Sequence, residues 1–268
     1  MPGVVVCGAM GRMGRAILSV LAEGVYGLTL SGAVETKGHP SIGADIAAAG
    51  TKCRGISLSD DFEAAIATAD VAIDFTNAEN SMHNAVIAAA AGKPIVIGST
   101  GIKAGQMETI CEAARKVAVV QSPNMSIGVN LMFRVAADVA RILGDDYDVE
   151  IVETHHRFKK DAPSGTAVKL ADVVASALDR EMREVGVYGR EGMVGERPKR
   201  EIGVFAMRSG DVVGEHTLVF GGIGERFEIT HRAHSRDTFA RGAVRAAHWI
   251  LEKPPGFYDM ADVLGLGR

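Results

Sequence analysis

The first half of the chain places its apolar residues in short unbroken runs. Val4-Val5-Val6-Cys7, Val71-Ala72-Ile73-Asp74-Phe75, Ile95-Val96-Ile97 and Val117–Val120 show little polar alternation, the pattern of strands buried on both faces. Leu28–Val34 is a further strand, ending at Glu35. Between these runs lie segments that predict helices: Ala16–Leu21, Asp60–Thr68, the alanine-rich Ala78–Ala91, stopped by Gly92-Lys93-Pro94, and Ala104–Lys116. Strands alternating with helices in this order predict a doubly wound parallel sheet.

The rhythm changes after Ser122-Pro123-Asn124-Met125, which marks a crossover to a second domain. Asn130–Leu143 predicts one more helix, Val149–Thr154 a strand, and Thr166–Glu181 a helix. Three β-rich runs follow, Ile202–Arg208, Val212–Phe220 and Arg226–Ala233, with turn residues at Gly210-Asp211 and Gly221–Gly224 that suggest antiparallel pairing between neighbours. The amphipathic Thr238–Leu251 is expected to return to the first domain, and Gly186–Arg200 to form an exposed loop. The expected fold class is α/β: a Rossmann-type doubly wound parallel sheet, residues 1–125 and 237–268, plus an α+β domain with an open mixed sheet, residues 126–236.

Composition narrows the function. A chain of 268 residues with 47% hydrophobic content holds one large or two modest cores. Its net charge of -4 argues against general nucleic-acid binding. Cys7, Cys53 and Cys111 are far apart and odd in number, with no C-x-x-C spacing, so neither a disulfide framework nor a zinc site is expected. Apolar stretches such as Ala85–Ala91 are too short to span a bilayer, and Val4–Cys7 runs straight into glycines rather than forming a secretory signal. A soluble cytoplasmic protein without membrane or metal partners is expected.

Chemistry concentrates at strand ends. Gly8-Ala9-Met10-Gly11-Arg12-Met13-Gly14 joins a strand to a helix, where glycines let backbone approach a pyrophosphate at the helix N-terminus. Its Gly8-x-x-Gly11-x-x-Gly14 spacing departs from the usual G-x-G-x-x-G, and an ordinary βαβ turn is the alternative. Glu35, at the end of the second strand, would accept from the adenosine ribose hydroxyls. Lys37 and Arg12 could reach a ribose phosphate, so NADH and NADPH are both expected, with a lean to NADH. Asp74-Phe75-Thr76 and Gly98-Ser99-Thr100-Gly101 follow buried strands and belong to the same carboxyl edge.

The run His155-His156-Arg157-Phe158-Lys159-Lys160-Asp161-Ala162-Pro163-Ser164-Gly165-Thr166 is the most informative. Five of its first six residues carry a cationic or protonatable head group. If His155 and His156 continue a strand, alternation points them to opposite faces. Pro163 supports a sharp turn, Ser164 is placed to cap the next helix, and the N–H groups of Gly165 and Thr166 face its N-terminus, where a carboxylate is favoured. His231-Arg232-Ala233-His234-Ser235-Arg236 adds Arg232 and Arg236 as a second carboxylate clamp. A solvated surface explains either cluster taken singly; two together suit an anionic small molecule with two carboxylates.

These segments, with Glu153-Thr154 before the histidines, resemble the dihydrodipicolinate reductase (4-hydroxy-tetrahydrodipicolinate reductase) family of lysine biosynthesis, in order and over essentially the whole chain. The resemblance implies reduction of a cyclic dicarboxylate to tetrahydrodipicolinate with NADH or NADPH. It implies His155 and Lys159 as the catalytic pair, with Lys159 the proton donor, and His156, Lys160, Ser164, Gly165, Thr166 and Arg236 as the carboxylate-binding shell. It implies dinucleotide contacts from Gly8 to Gly14, Glu35, Phe75, Thr76, Gly98, Ser99, Thr100, Gly101, Ser122, Asn124 and Met125, and a homotetramer built through the second domain's sheet. In this family an Arg often follows the acidic residue; Thr36 stands here, against a strong NADPH preference. Ser99 stands where Thr is usual and keeps the hydroxyl. Two other readings stay open: a dehydrogenase of another amino-acid-like dicarboxylate such as aspartate, and a non-catalytic NAD(H)-sensing protein.

Overall fold

Seven short strands, none over six residues, form a wholly parallel sheet in the spatial order Gly256–Tyr258, Ala118–Gln121, Ile95–Ile97, Val71–Asp74, Gly3–Cys7, Thr29–Val34, Leu58–Ser59. The structure is a computed structural model and describes residues 1–267, the side chain of Ala49 excepted; residue 268, the expected end of the first domain, lies outside them. The strands are β1 (Gly3–Cys7), β2 (Thr29–Val34), β3 (Leu58–Ser59), β4 (Val71–Asp74), β5 (Ile95–Ile97), β6 (Ala118–Gln121) and, from the C-terminal segment, β12 (Gly256–Tyr258). The helices are α1 (Arg12–Leu21), α2 (Phe62–Ala67), α3 (Ala78–Ala90), α4 (Ala104–Ala114), α8 (Asp237–Ile250) and α9 (Met260–Leu264).

Strand alternation assigns the two faces. Val4 and Val6 of β1 bury against residues of α1 and α8, whereas Val5 and Cys7 bury against residues of α2, α3 and α4. Both faces are buried, so the strands read as unbroken apolar runs. Chain order reverses about β1, flanked by β2 and β4, and the crevice outside their carboxyl ends is the ligand-binding place of such sheets. β3, β12 and α9 went unread because they are short and carry little periodic apolar signal.

The chain divides into two compact units: residues Met1–Ile127 with Arg236–Arg268, and Gly128–Ser235. The second contains α5 (Ile127–Leu143), β7 (Asp148–His155), α6 (Gly165–Ala177), α7 (Met182–Val185), β8 (Gly186–Val187), β9 (Ile202–Arg208), β10 (Gly214–Gly221) and β11 (Arg226–Ala233). Its sheet is mixed, in the order β11-β10-β7-β9-β8. β9 runs parallel to β7, and β10 lies antiparallel to β7 on its other side. The anticipated pairing across Gly210-Asp211 is therefore corrected: β7 lies between β9 and β10, so that turn is no hairpin. Only β10 and β11 make the adjacent antiparallel pair.

The helix expected over Thr166–Glu181 stops at Ala177. Asp179 adopts φ 50°, the left-handed region, and Arg180 N–H returns to the Ala175 carbonyl, closing the helix before α7. Most of residues 188–201 is exposed, but the segment is tied down: Arg190 and Arg197 both reach Glu150 on β7.

Candidate functional site

In the first unit the carboxyl ends of β1, β2 and β4 open into a cavity of about 530 Å³ whose lining includes Gly8, Glu35, Lys37, Thr76 and His83. Helix α1 begins at Arg12, four residues earlier than expected, so Arg12, Met13 and Gly14 form its first turn and Gly11 its N-cap. The glycines explain this. Gly8 takes φ +74°, and a Cβ on Gly14 would lie 2.1 Å from the Gly8 carbonyl, so only glycine lets the helix start so close to the strand. Gly8 and Ala9 donate to the Val34 carbonyl at 2.9 and 3.1 Å. Glu35 accepts from Met10 N–H at 3.0 Å and Thr36 N–H at 2.9 Å, which fastens the glycine turn to β2 and leaves lone pairs for ribose hydroxyls. The exposed Gly11 and Arg12 at the helix start suit the phosphates of a dinucleotide.

Asp74, fully buried, accepts from Thr76 N–H (2.9 Å), Thr76 Oγ1 (2.7 Å), Ser81 Oγ (2.7 Å) and Asn84 Nδ2 (2.6 Å). The Ser81 and Ser99 hydroxyls lie 2.7 Å apart. Sequence reasoning gave Asp74 no role beyond its strand end; its carboxylate sets the turn that carries Phe75 and Thr76. The Phe75 ring in turn occupies the space over Gly98, where a Cβ would meet it at 2.1 Å. Thr100 and Gly101 are exposed beyond this contact. Ser122 Oγ donates to the Asn124 carbonyl at 2.9 Å, and Met125 is buried against α8, where a Cβ on Gly242 would lie 1.7 Å from its carbonyl. Arg236 belongs to this unit, as the N-cap residue of α8.

The second unit builds its site from one face of a sheet. Along β7 the helix-facing positions read Val149, Ile151, Glu153, His155; along β9, Ile202, Val204, Ala206, Arg208; along β10 in reverse, Phe220, Leu218, His216, Gly214. Each row begins in the apolar core, and toward the same edge of the sheet the three rows bring Glu153 with His155, Arg208, and His216. Ser164 caps α6 there, accepting from Ala167 N–H at 3.2 Å, and lies 3.1 Å from His216 Nε2. Glu153, wholly buried, receives His155 Nδ1 at 2.5 Å, Ser164 N–H at 2.9 Å and both terminal nitrogens of Arg208 at 2.9 and 3.0 Å.

Charge states follow from these contacts. Burial pushes the Glu153 carboxyl up, but the Arg208 fork, His155 and the Ser164 amide outweigh it and leave it below the usual range. Burial lowers His155 below the ordinary histidine value despite Glu153, with Lys159 and Arg208 adding to the lowering. His216 is held down to about 4, by burial first and then by His155. Lys159 Nζ pairs with Asp161 at 2.9 Å, while Lys160 and Gly165 are exposed. His155 ends β7 and points inward; His156 lies past the strand, its ring 6.3 Å from that of Phe158.

The structure thus gathers His155 and Ser164 about one carboxylate, with Lys159 tied to Asp161 in the turn between them. Arg208 and His216 are not among the residues that the sequence singles out, and Glu153 has no role there beyond its place before the histidines. Glu153 carried a signal: a carboxylate two positions before His155 shares its face of a strand whose earlier residues are apolar. Arg208 and His216 carried none without the register. Among the described residues no group of three or more His, Cys, Asp or Glu is placed to hold a metal ion, and no helix is long and apolar enough to cross a membrane.

A parallel sheet with a glycine turn at its carboxyl edge, joined to a second unit that gathers His155, Ser164 and Arg208 about a buried carboxylate, is that of an oxidoreductase of the pyridine-nucleotide class. The family model described as dihydrodipicolinate reductase, N-terminus, matches residues 3–125, and that described as dihydrodipicolinate reductase, C-terminus, matches residues 128–264; the chain belongs to the dihydrodipicolinate reductase family. It is 56% identical to the 4-hydroxy-tetrahydrodipicolinate reductase of Syntrophus aciditrophicus, over 97% of each chain. It is 52% identical to the reductase of that name from Geobacter sulfurreducens, over 99% of this chain and 100% of the relative. Its fold is similar to that of the dipicolinate-bound dihydrodipicolinate reductase from Paenisporosarcina sp. TG-14, with TM-score 0.76 and 23% identity over 98% of both chains.

Proposed function

We propose that the chain reduces 4-hydroxy-tetrahydrodipicolinate to tetrahydrodipicolinate in lysine and diaminopimelate biosynthesis. The observation that carries this reading is the His155–Thr166 run folded as strand end, turn and capped helix start, in a chain matched by its family along almost its whole length. When bound, a reduced nicotinamide would supply a hydride for an unsaturated carbon conjugated with the substrate's ring nitrogen, and one water would leave the substrate in the overall reaction. The electron pair that accumulates needs a proton. Lys159, an ammonium held at its Asp161 partner, is the donor in this reading; it gives up one proton and regains it from solvent. His155 is the second group of the catalytic pair. His156, Lys160 and the amides of Gly165 and Thr166 bind the substrate's carboxylates, aided by the α6 N-terminus that Ser164 caps.

The first unit binds the dinucleotide through residues 8–14, Glu35, Phe75, Thr76, residues 98–101, Ser122, Asn124 and Met125. NADH is favoured over NADPH: the cavity beside Glu35 is also lined by Asp60, Asp61 and Glu63, and Lys37 is the one Lys or Arg in that lining. A ribose 2′-phosphate would meet four carboxylates there. We place the enzyme in the cytoplasm, in keeping with three free cysteines. We assign it a homotetrameric state through the sheet face of the second unit opposite the helices, where Val152, Phe205, Met207 and Val219 are half-buried or exposed.

The test is an assay of the purified protein with dihydrodipicolinate synthase, pyruvate and aspartate semialdehyde, following NADH and NADPH oxidation separately. Synthase-dependent oxidation, faster with NADH, is expected. Demonstrated NADH binding without oxidation would overturn the reductase reading, and turnover of aspartate instead would replace it.

A further inference from the structure

Glu153 cannot touch a substrate, because its side chain has no exposed surface. Yet it is the most heavily contacted carboxylate of the second unit's polar edge. One oxygen accepts from Ser164 N–H and Arg208 Nη2, the other from His155 Nδ1 and Arg208 Nη1. Arg208 Nη2 also donates to the Asp161 carbonyl at 2.5 Å, and the Asp161 carboxylate holds Lys159. The ring of His155, the turn that opens α6 and the residue that holds Lys159 therefore all connect to one buried ion pair.

Stability does not explain such a pair. Two apolar side chains of similar volume usually serve a core as well or better, because desolvating two charges offsets their attraction. Tautomer control is the more specific consequence. An ionised carboxylate only accepts, so the proton of a singly protonated His155 ring must sit on Nδ1, which leaves Nε2 bare. That nitrogen faces Gly214, where a Cβ would come within 3.0 Å of it, so glycine on β10 keeps the space beside it open.

We propose that Glu153, locked by the Arg208 fork, is the positioning residue of this site: it holds His155 as the Nδ1–H tautomer and anchors the Ser164 turn of α6. The role of His155 in turnover rests on the reductase reading; the tautomer does not.

The decisive variant is Glu153→Gln. Its single carbonyl oxygen best serves the two donors Ser164 N–H and Arg208 Nη2, which turns the amide NH2 toward His155. That NH2 donates to Nδ1 and moves the ring proton to Nε2. Long-range 1H–15N spectra of the full chain labelled with 15N-histidine, with His155 assigned by its loss in His155→Gln, read this directly. Nδ1–H is expected in the parent and Nε2–H in Glu153→Gln, with kcat lower by about 10- to 100-fold and the dissociation constant for NADH unchanged. Should Glu153→Gln fail to fold, the paired replacement Glu153→Met with Arg208→Met removes both charges, and a mixture of tautomers is expected. An unchanged Nδ1–H tautomer in the folded variants, or an altered tautomer with undiminished kcat, overturns the proposal. The spectra need no turnover, so failure of the positioning and failure of the reductase reading give different results.

Discussion

The two units assemble their polar groups in opposite ways. In the first, backbone does most of the work: Gly8, Gly11 and Gly14 bring a helix start against a strand end, and Glu35 grips the turn through amide N–H groups. In the second, side chains do it: one sheet face passes from Val149, Ile202 and Phe220 to Glu153, Arg208 and His216 within a few residues of each strand. A backbone-built site is sensitive to added atoms. A side-chain site is sensitive to lost charge and lost hydrogen bonds.

The sharpest way to separate them is Lys159→Ala. It should lower kcat by on the order of 10²–10⁴-fold and leave NADH affinity nearly unchanged, as read by turnover and by fluorescence titration. Equal loss of NADH binding would show that the division of labour is wrong. Gly14→Ala tests the other half. Its methyl would lie 2.1 Å from the Gly8 carbonyl, so the turn or the helix must move, at a cost of about 1–3 kcal/mol or more. A lower melting temperature and weaker NADH binding are expected, and wild-type values for both would refute the account of the glycine turn.

Acidity offers a test confined to the second unit. His216 titrates at about 4 in the fold and near 6.5 when unfolded, so between those values the unfolded chain binds the extra proton. Stability therefore falls as pH drops from about 6.5 to 4, by on the order of 3 kcal/mol from this ring at the acid end. His216→Gln, which keeps a partner for Ser164, should flatten the melting-temperature profile across that window; a profile as steep as the parent's would remove His216 as the cause. Smallest is Thr36→Arg, expected to raise kcat/KM for NADPH by about tenfold relative to NADH through one guanidinium–phosphate contact. An unchanged ratio would mean that the surrounding carboxylates outweigh a single cation.

The same contrast governs what was legible in the amino-acid order. The doubly wound sheet was readable because strand, turn and helix are consecutive, and because burial on both faces removes polar alternation from Val4–Cys7 and Ile95–Ile97. The glycine turn was readable for the same local reason. Its helix start was placed late because glycines at α1 look like loop. In the second unit the strands were recognisable but their neighbours were not. Nothing local distinguishes β9 lying beside β7 from β9 pairing with β10, and that register alone decides that Arg208 meets Glu153. His216 looked like one histidine in an alternating strand until β10 was set against β7.

The first unit is also interrupted in time. Ribosomes deliver residues 1–127 and then all of the second unit before α8 appears, yet α8 supplies Ala240, Ala243, Val244, Ala247 and Ile250 to the core that covers Val4, Val6, Ile73 and Val96. Until those residues emerge, that side of the nascent sheet has α1 but lacks α8, whereas residues 128–235 are contiguous and can close as soon as they are made. The inserted unit is thus free to finish folding before its host, and a chain ended and released near residue 236 would carry a complete second unit beside a sticky, half-dressed first one, the form that chaperones would be expected to hold.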